Sequence, residues 1–478
     1  MNLIDLSKKI KRTKIITTIG PSTHKKEDIQ KLYEAGMTAI RLNFSHGDFE
    51  EHGARIEATK AIRDEFKKPI SILLDTKGPE IRVGKMKDGK QKIVAGSVIT
   101  IYTLPQEFDS RECDANEMTV SYDMSKDLKI GDVILVDDGK LNMTVESVEP
   151  GKVIAKAFNH HIVKTNKRIN LPGVDFSMPF LAEKDISDIK YGCKQGIDYI
   201  AASFVNSADN VNQIRDILRE QKCEKIQIIS KIESQLGIDN IDEIINASDG
   251  IMVARGDLGL EIPYYEVPYW EKVIIRKCRE KGKIVVVATQ MLESMTDNPA
   301  PTRAEVTDVY YATELGSDAT MLSGESAAGS YPFITTATMA TINKRAEIEF
   351  YGKLYYEQNL EQARRTTSGQ RSEIANELAE ISRTGKYEYA IVLSRTGELL
   401  KTISKFRPNV TILGVSEDES LYNAFGIWHS IFMNKTKDLD DLNNSIEELS
   451  SIAKKWGAKN GEKILVVRNE NIREIEVK

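Results

Sequence analysis

Four charged residues stand at the ends of two apolar runs in the stretch Ile226–Gly259, IQIISKIESQLGIDNIDEIINASDGIMVARGDLG: Lys231 and Glu233, then Arg255 and Asp257. Two carboxylates brought together suit a hard divalent cation, and Mg²⁺ takes oxygen ligands, usually one or two carboxylates plus substrate oxygens. Flanking Lys231 and Arg255 suit the anionic substrate such an ion would hold. An isolated K-x-E would be read as a surface ion pair of little consequence. Here each charged tip interrupts an apolar run at its carboxyl end, where α/β barrels place their chemistry.

The runs themselves say how the tips are positioned. Ile226–Ser230 and Gly250–Ala254 read as strands, and the segment between them has helical periodicity, which makes a βαβ unit with parallel strands. Glu233 and Asp257 then emerge at the same ends of neighbouring strands. The alternation begins near the start, with strands at Thr13–Ile19, Thr38–Leu42 and Ile70–Leu74 and helices at Lys26–Ala35 and Phe49–Phe66. It resumes at Glu183, with strands at Tyr199–Ala202, Ile284–Ala288 and Ala319–Leu322 and helices at Asn210–Glu220, Val267–Lys281 and Arg303–Leu315. Eight strand–helix steps are the count of a TIM (β/α)8 barrel. Between the two blocks, from about Glu80 to Asn170, short β-type runs alternate with turn signals such as Asp88-Gly89 and Asp138-Gly139.

The expected organisation is therefore α/β. The barrel is split between 1–78 and 171–345, an inserted all-β lid domain spans 79–170, and a C-terminal α/β domain for regulation or oligomerisation spans 346–478. A helical stretch at about Pro332–Tyr356 and a polar linker at Gln362–Arg371 lead into that last domain, whose strands include Tyr389–Leu393, Val410–Val415, Ser430–Met433 and Lys463–Val467.

Composition excludes several classes. The 478 residues carry a net charge of −6 with 29% charged residues and no long one-sign block, so no nucleic-acid or membrane partner is expected. Cys113, Cys193, Cys223 and Cys278 are widely spaced and read as reduced thiols. The opening MNLIDLSKKIKRTK is basic but lacks the apolar core of a signal peptide, and no apolar run approaches a membrane span. The expectation is a cytoplasmic protein.

Taken in order, the strand ends give RLNFSHG (Arg41–Gly47), LDTKGPEIR (Leu74–Arg82), SKIES, ARGDLG, ATQMLESM (Ala288–Met295), PTRAE (Pro301–Glu305) and MLSGES (Met321–Ser326). From Thr13 to Pro332 this set resembles the pyruvate kinase family in residue identity and order. The resemblance implies transfer of a phosphoryl group from phosphoenolpyruvate to ADP, giving pyruvate and ATP, with Mg²⁺ (or Mn²⁺) and K⁺ as cofactors and a homotetrameric assembly. Phosphoryl transfer is mainly positioning and neutralisation of charge. Glu233 and Asp257 would hold the divalent ion, Lys231 would stabilise the transferring group and the enolate, and Arg41 would clamp the phosphate. Backbone N–H groups of Gly256 and Asp257, opening a helix, would receive the substrate carboxylate. Thr289 would stand near the carbon that gains a proton, ordering a water chain rather than acting as the acid. On the residue alone, a hydrogen bond from Thr289 to a nearby backbone carbonyl is the competing reading.

Asn43, Ser45, Asp75 and Thr76 match the family's potassium ligands, and Glu at position 80 marks members that require potassium. Arg82, Lys167 and His46 match its nucleotide contacts, with Asn43 beside them, although nothing resembles a GxxxxGK[ST] loop. In the last domain SRTGELLK (Ser394–Lys401) stands where allosteric relatives bind a sugar phosphate. Ser394, Thr396 and Gly397 match and make a possible effector site, whereas Glu398 would repel a phosphate. The chain end VVRNENIREIEVK lacks the Gly-rich, Trp- and Arg-containing loop of fructose-bisphosphate-regulated members, so fructose 1,6-bisphosphate is not expected to be a strong activator. Asn206 and Ser326 depart from the residues common in relatives without removing a ligand. The alternatives are a metal-dependent pyruvate-enolate lyase or aldolase, and a non-catalytic phosphoenolpyruvate sensor; loss of Lys231 or a metal carboxylate would mark the sensor, and all are present.

Overall fold

The computed structural model describes residue 6 and residues 10–175, 177–352 and 354–478. Most of the basic opening segment therefore lies outside the described residues. Eight parallel strands close into a barrel: Lys14–Thr18, Ala39–Asn43, Ser71–Asp75, Tyr199–Ala202, Gln227–Ile232, Gly250–Ala254, Ile284–Ala288 and Ala319–Leu322, numbered first to eighth below. Runs such as IVVVA in the seventh strand are buried throughout, as expected of parallel strands covered on both faces. The fifth strand runs two residues further than the sequence pattern suggests, through Lys231 to Ile232. Lys231 thus projects from the strand itself, not from a loop.

Between the third strand and the helix Glu183–Gln195 the chain builds a seven-stranded sheet and two small two-stranded ones. The only α-helix among the described residues of this insertion is Pro105–Ser110. The insertion leaves and re-enters the barrel through paired strands, with Ile81 opposite Ile169 and Arg82 opposite Arg168.

After the helix Pro332–Gly352, a second helix covers Leu354–Arg365 and a third begins at Gln370. The expected polar linker is therefore narrowed to 366–369, a break between two helices, and the preceding turn is helical with Arg365 paired to Glu361 at 3.1 Å. The C-terminal sheet has the order Ile431–Lys435, Thr411–Ser416, Tyr389–Leu393, Lys463–Arg468 and Asn471–Glu476, the last strand antiparallel. It plugs the amino end of the barrel. Lys14 donates to Ile431 O (2.6 Å), Ser71 to Asn423 O (2.6 Å) and Arg407 to Asp318 (2.8 Å). Barrel-interior residues such as Ile16, Leu73, Met252 and Val286 share one apolar cluster with Phe425 and Trp428. The carboxyl ends of the strands are left to form the other mouth.

Candidate active site

Lys231 stands at the centre of that mouth, 7% exposed. Its Nζ lies 3.1 Å from Asp75 Oδ1 and 3.1 Å from Glu233 Oε1, and donates to Ser203 Oγ at 2.8 Å. Lys231 and Glu233 are two apart on an extended segment, so both side chains leave on the same face. Burial pulls the Lys231 ammonium down, but the Asp75 and Glu233 carboxylates more than offset it, and the group is held firmly charged. Asp75, pushed up by burial and down further by Arg41 and Lys231, stays ionised. Arg41 reaches it from the second strand, donating through Nε to Oδ2 at 2.6 Å and through Nη1 to Thr18 Oγ1 at 3.0 Å.

Glu233 and Asp257 do converge, as the spacing suggests, closely enough for each carboxylate to shift the other's titration. Burial and the Asp257 charge raise the Glu233 carboxyl, while Asp257 is held low, mainly by Arg168 and Lys231 against the effect of burial. Glu233 Oε2 accepts from Phe204 N at 2.7 Å, while Oε1 faces Lys231 without an aligned hydrogen bond. No group of three or more His, Cys, Asp or Glu side chains able to hold a metal occurs among the described residues. A carboxylate pair with an unsatisfied oxygen fits Mg²⁺, which completes its shell with substrate oxygens and water.

Gly256 and Asp257 do open a helix, Arg255–Glu261. Gly256 N–H already donates to Thr289 Oγ1 at 2.7 Å, so a substrate carboxylate would have to take it from that hydroxyl. Thr289 Oγ1 in turn donates to Ala288 O at 2.5 Å, which is the competing reading of this residue realised. Its backbone is unusual: Thr289 has φ 70° and Gln290 φ 52°, a region costly for a β-branched residue and found mostly at functional sites. Arg255 is the residue whose direction the sequence misjudged. It turns away from the mouth to Glu271 (3.2 Å) and Asp308 (2.6 Å), and its Nη2 donates to Thr289 O at 2.9 Å. It holds the strained turn instead of an anion.

Asn43 and Asp75 face each other across the second and third strands. Asn43 Oδ1 accepts from Ser45 N at 3.1 Å, and Thr76 Oγ1 accepts from Ser203 N at 3.1 Å. Neutral oxygens and an ionised carboxylate thus leave the ends of two neighbouring strands, a donor set that fits a weakly hydrated monovalent cation, although Asp75 is also paired with Arg41 and Lys231. Arg82 and Lys167 come together at the insertion's paired strands, but each is engaged there. Arg82 holds Glu80 at 2.7 Å and Lys167 holds Asp137 at 2.8 Å. His46 is exposed at the rim. Ser394, Thr396 and Glu398 line a cleft of about 610 Å³ in the C-terminal domain, with Arg371, Arg395 and Arg468 around it. Gly397 N–H donates to Ser394 Oγ at 3.1 Å.

Two residues of the site were not singled out from sequence. Ser203 ties Lys231 to Thr76 O (2.7 Å), and its place at the end of the fourth strand was the available signal. Arg168 donates to Asp257 Oδ1 at 2.6 Å, a contact with no signal in the sequence.

The sequence model of the pyruvate kinase barrel domain matches residues 10–336. The chain is 43% identical to a pyruvate kinase of Clostridium acetobutylicum over 91% of both chains. It is 40% identical to one of Mycoplasma pneumoniae, over 88% of this chain and 89% of that one. A crystal structure of a pyruvate kinase from Cryptosporidium parvum superposes with a TM-score of 0.91 at 32% identity, covering 100% of this chain and 98% of the other.

Proposed function

This chain belongs to the pyruvate kinase family, and from that premise we propose how its own residues carry the reaction. The enzyme transfers the phosphoryl group of phosphoenolpyruvate to ADP in the last step of glycolysis. A β-phosphate oxygen of ADP attacks phosphorus, the bond from phosphorus to the enol oxygen breaks with its electrons staying on that oxygen, and the enolate carbon then takes a proton to give pyruvate. The observation that carries the assignment is Lys231: a buried ammonium kept charged by Asp75 and Glu233, each 3.1 Å away, at the carboxyl mouth of the barrel. A fixed charge there neutralises the moving phosphoryl oxygens and the developing enolate without reorganising during the step.

Arg41, oriented by Asp75 and Thr18, binds the phosphate with the face of its fork not used by those partners. Gly256 and Asp257 receive the carboxylate, and Thr289, released from Gly256, orders the water that protonates the enolate carbon. Glu233 and Asp257 hold Mg²⁺ or Mn²⁺, which supplies electrostatic neutralisation to the phosphate and enolate oxygens. Asn43, Ser45, Asp75 and Thr76 hold K⁺. Arg82, Lys167 and His46, with Asn43, bind the nucleotide phosphates once Arg82 leaves Glu80 and Lys167 leaves Asp137. The insertion (79–170) serves as a lid on the barrel (1–78 and 171–345), and 346–478 carries regulation and assembly, with the protein a cytoplasmic homotetramer. No helix among the described residues is long and apolar enough to cross a membrane.

Ser394, Thr396 and Gly397 bind an anionic effector. Glu398 is offset there by Lys401 at 2.8 Å and Arg371 at 3.9 Å. Fructose 1,6-bisphosphate is not a strong activator, and a large left shift of the phosphoenolpyruvate saturation curve by it would overturn this.

The test of the central reading is pyruvate formation from phosphoenolpyruvate and ADP with Mg²⁺, with and without K⁺, for wild type and Lys231→Met. Turnover should depend on K⁺ and fall on the order of 10³-fold in the variant. Equal rates in sodium and potassium would sink the Asn43–Thr76 assignment while leaving the reaction intact.

A further inference from the structure

The inserted sheet grips the barrel at one of the carboxylates read as metal ligands. Arg168 Nη1 donates to Asp257 Oδ1 at 2.6 Å, with the Arg168 side chain 17% exposed and its guanidinium carbon 4.7 Å from the centre of the Phe204 ring. Two residues along the same strand, Asn170 Nδ2 donates to Glu261 Oε1 at 3.0 Å. Arg168 and Asn170 point to one side of their strand, while Asp257 and Glu261 lie one turn apart on the helix Arg255–Glu261, so strand face meets helix face. The turn after the neighbouring strand Val133–Val136 packs on the same helix: a Cβ at Gly139 would stand 3.1 Å from Leu260 Cδ2.

We propose that Arg168 is a positioning residue that neutralises Asp257 until the divalent cation arrives and then exchanges with it, so that metal loading releases the inserted sheet from the helix. The proposal rests on the reading of Asp257 as a metal ligand. A guanidinium and a divalent ion at one carboxylate oxygen would lie only about 4 Å apart in a half-buried site, where like charges repel strongly. The metal therefore bids against Arg168, and linkage makes the competition reciprocal: whatever the latch takes from metal affinity, the metal takes from the latch. The guanidinium already lies over the Phe204 ring while it pairs with Asp257, a contact that does not depend on that carboxylate.

The test is Mn²⁺ binding to the full-length, substrate-free protein, read from the loss of the free-ion electron paramagnetic resonance signal. Arg168→Gln should bind Mn²⁺ about tenfold more tightly than wild type. Arg168→Lys, which restores a charge, should return most of the way, and Asp257→Asn should bind weakly. Unchanged or weaker binding by Arg168→Gln, with Asp257→Asn still defective, overturns the exchange alone. Wild-type affinity in Asp257→Asn overturns the metal reading itself. Hydrogen exchange on the wild-type protein decides the matter if the Arg168 variants do not fold: Mn²⁺ alone should speed exchange of the amides at 168–170, and unchanged or slower exchange overturns the proposal.

Discussion

The two ends of the barrel each bury an ion-pair cluster, and the clusters are built differently. At the amino end, Arg407 and Asp318 pair at 2.8 Å with both side chains 3% exposed. Asp318 Oδ2 also accepts from Val285 N (3.0 Å) and Oδ1 from His429 N (3.2 Å), while Arg407 Nη2 donates to Gly316 O (3.1 Å). Backbone groups on all sides fix that pair. At the carboxyl end, two cations share Asp75, Glu233 keeps an oxygen without an aligned bond, and the Glu233 carboxyl is raised by burial. The Asp318 carboxylate has both oxygens paired, although Arg407 Nε has no partner, whereas Glu233 holds an oxygen in reserve for a substrate and an ion. Pairing of the carboxylate oxygens, more than burial or charge, separates the structural cluster from the functional one.

Lys231→Met breaks this contrast most sharply. Beyond its loss of turnover, it should leave stability nearly intact, with a cost under about 1 kcal/mol and a thermal midpoint within about 2–4 °C of wild type. Asp75 keeps Arg41, and Glu233, already raised, can take up a proton. A large drop in the midpoint would mean the mouth is as structural as the base. Asp318→Asn should do the reverse. Arg407 cannot give up its charge, so the variant should lose about 3–5 kcal/mol of stability by denaturant titration while turnover per folded molecule holds. A loss under about 1 kcal/mol would erase the distinction between the two ends.

How much of this was legible follows the same division. Lys231 and Glu233 were readable because a K-x-E on a strand places both side chains on one face, whatever the strand's exact end. Strands such as Gly250–Ala254 and Ile284–Ala288 were readable because parallel strands buried on both faces leave unbroken apolar runs. Arg255 was misjudged since its direction depends on the phase of a helix that starts at that very residue. The segment Gln362–Arg371 was taken as a linker for its polarity, though only 366–369 lies between the helices. Arg168 meets Asp257 across 89 residues, through the seating of one domain on another, and no local pattern encodes that contact.

Glu271 provides an intermediate case behind the mouth. It is nine-tenths buried or more and pairs with Arg255 at 3.2 Å, yet its Oε1 has no hydrogen bond. Burial first, opposed by Arg255, pushes its carboxyl up to about 7. With the unfolded value near 4.5, the folded protein binds the extra proton between those two limits. The stability this contributes is fully present below about pH 4.5 and is lost as pH rises through 7. Its size is at most about 3 kcal/mol, from a shift of about 2.5 pH units at 1.36 kcal/mol each. Denaturant titrations of wild type and Glu271→Gln at pH 5 and pH 8 isolate it: wild type should lose stability relative to the variant on going to pH 8. The opposite slope would show that Arg255 outweighs burial at this position, and would place Glu271 with the fully paired Asp318 carboxylate of the amino end.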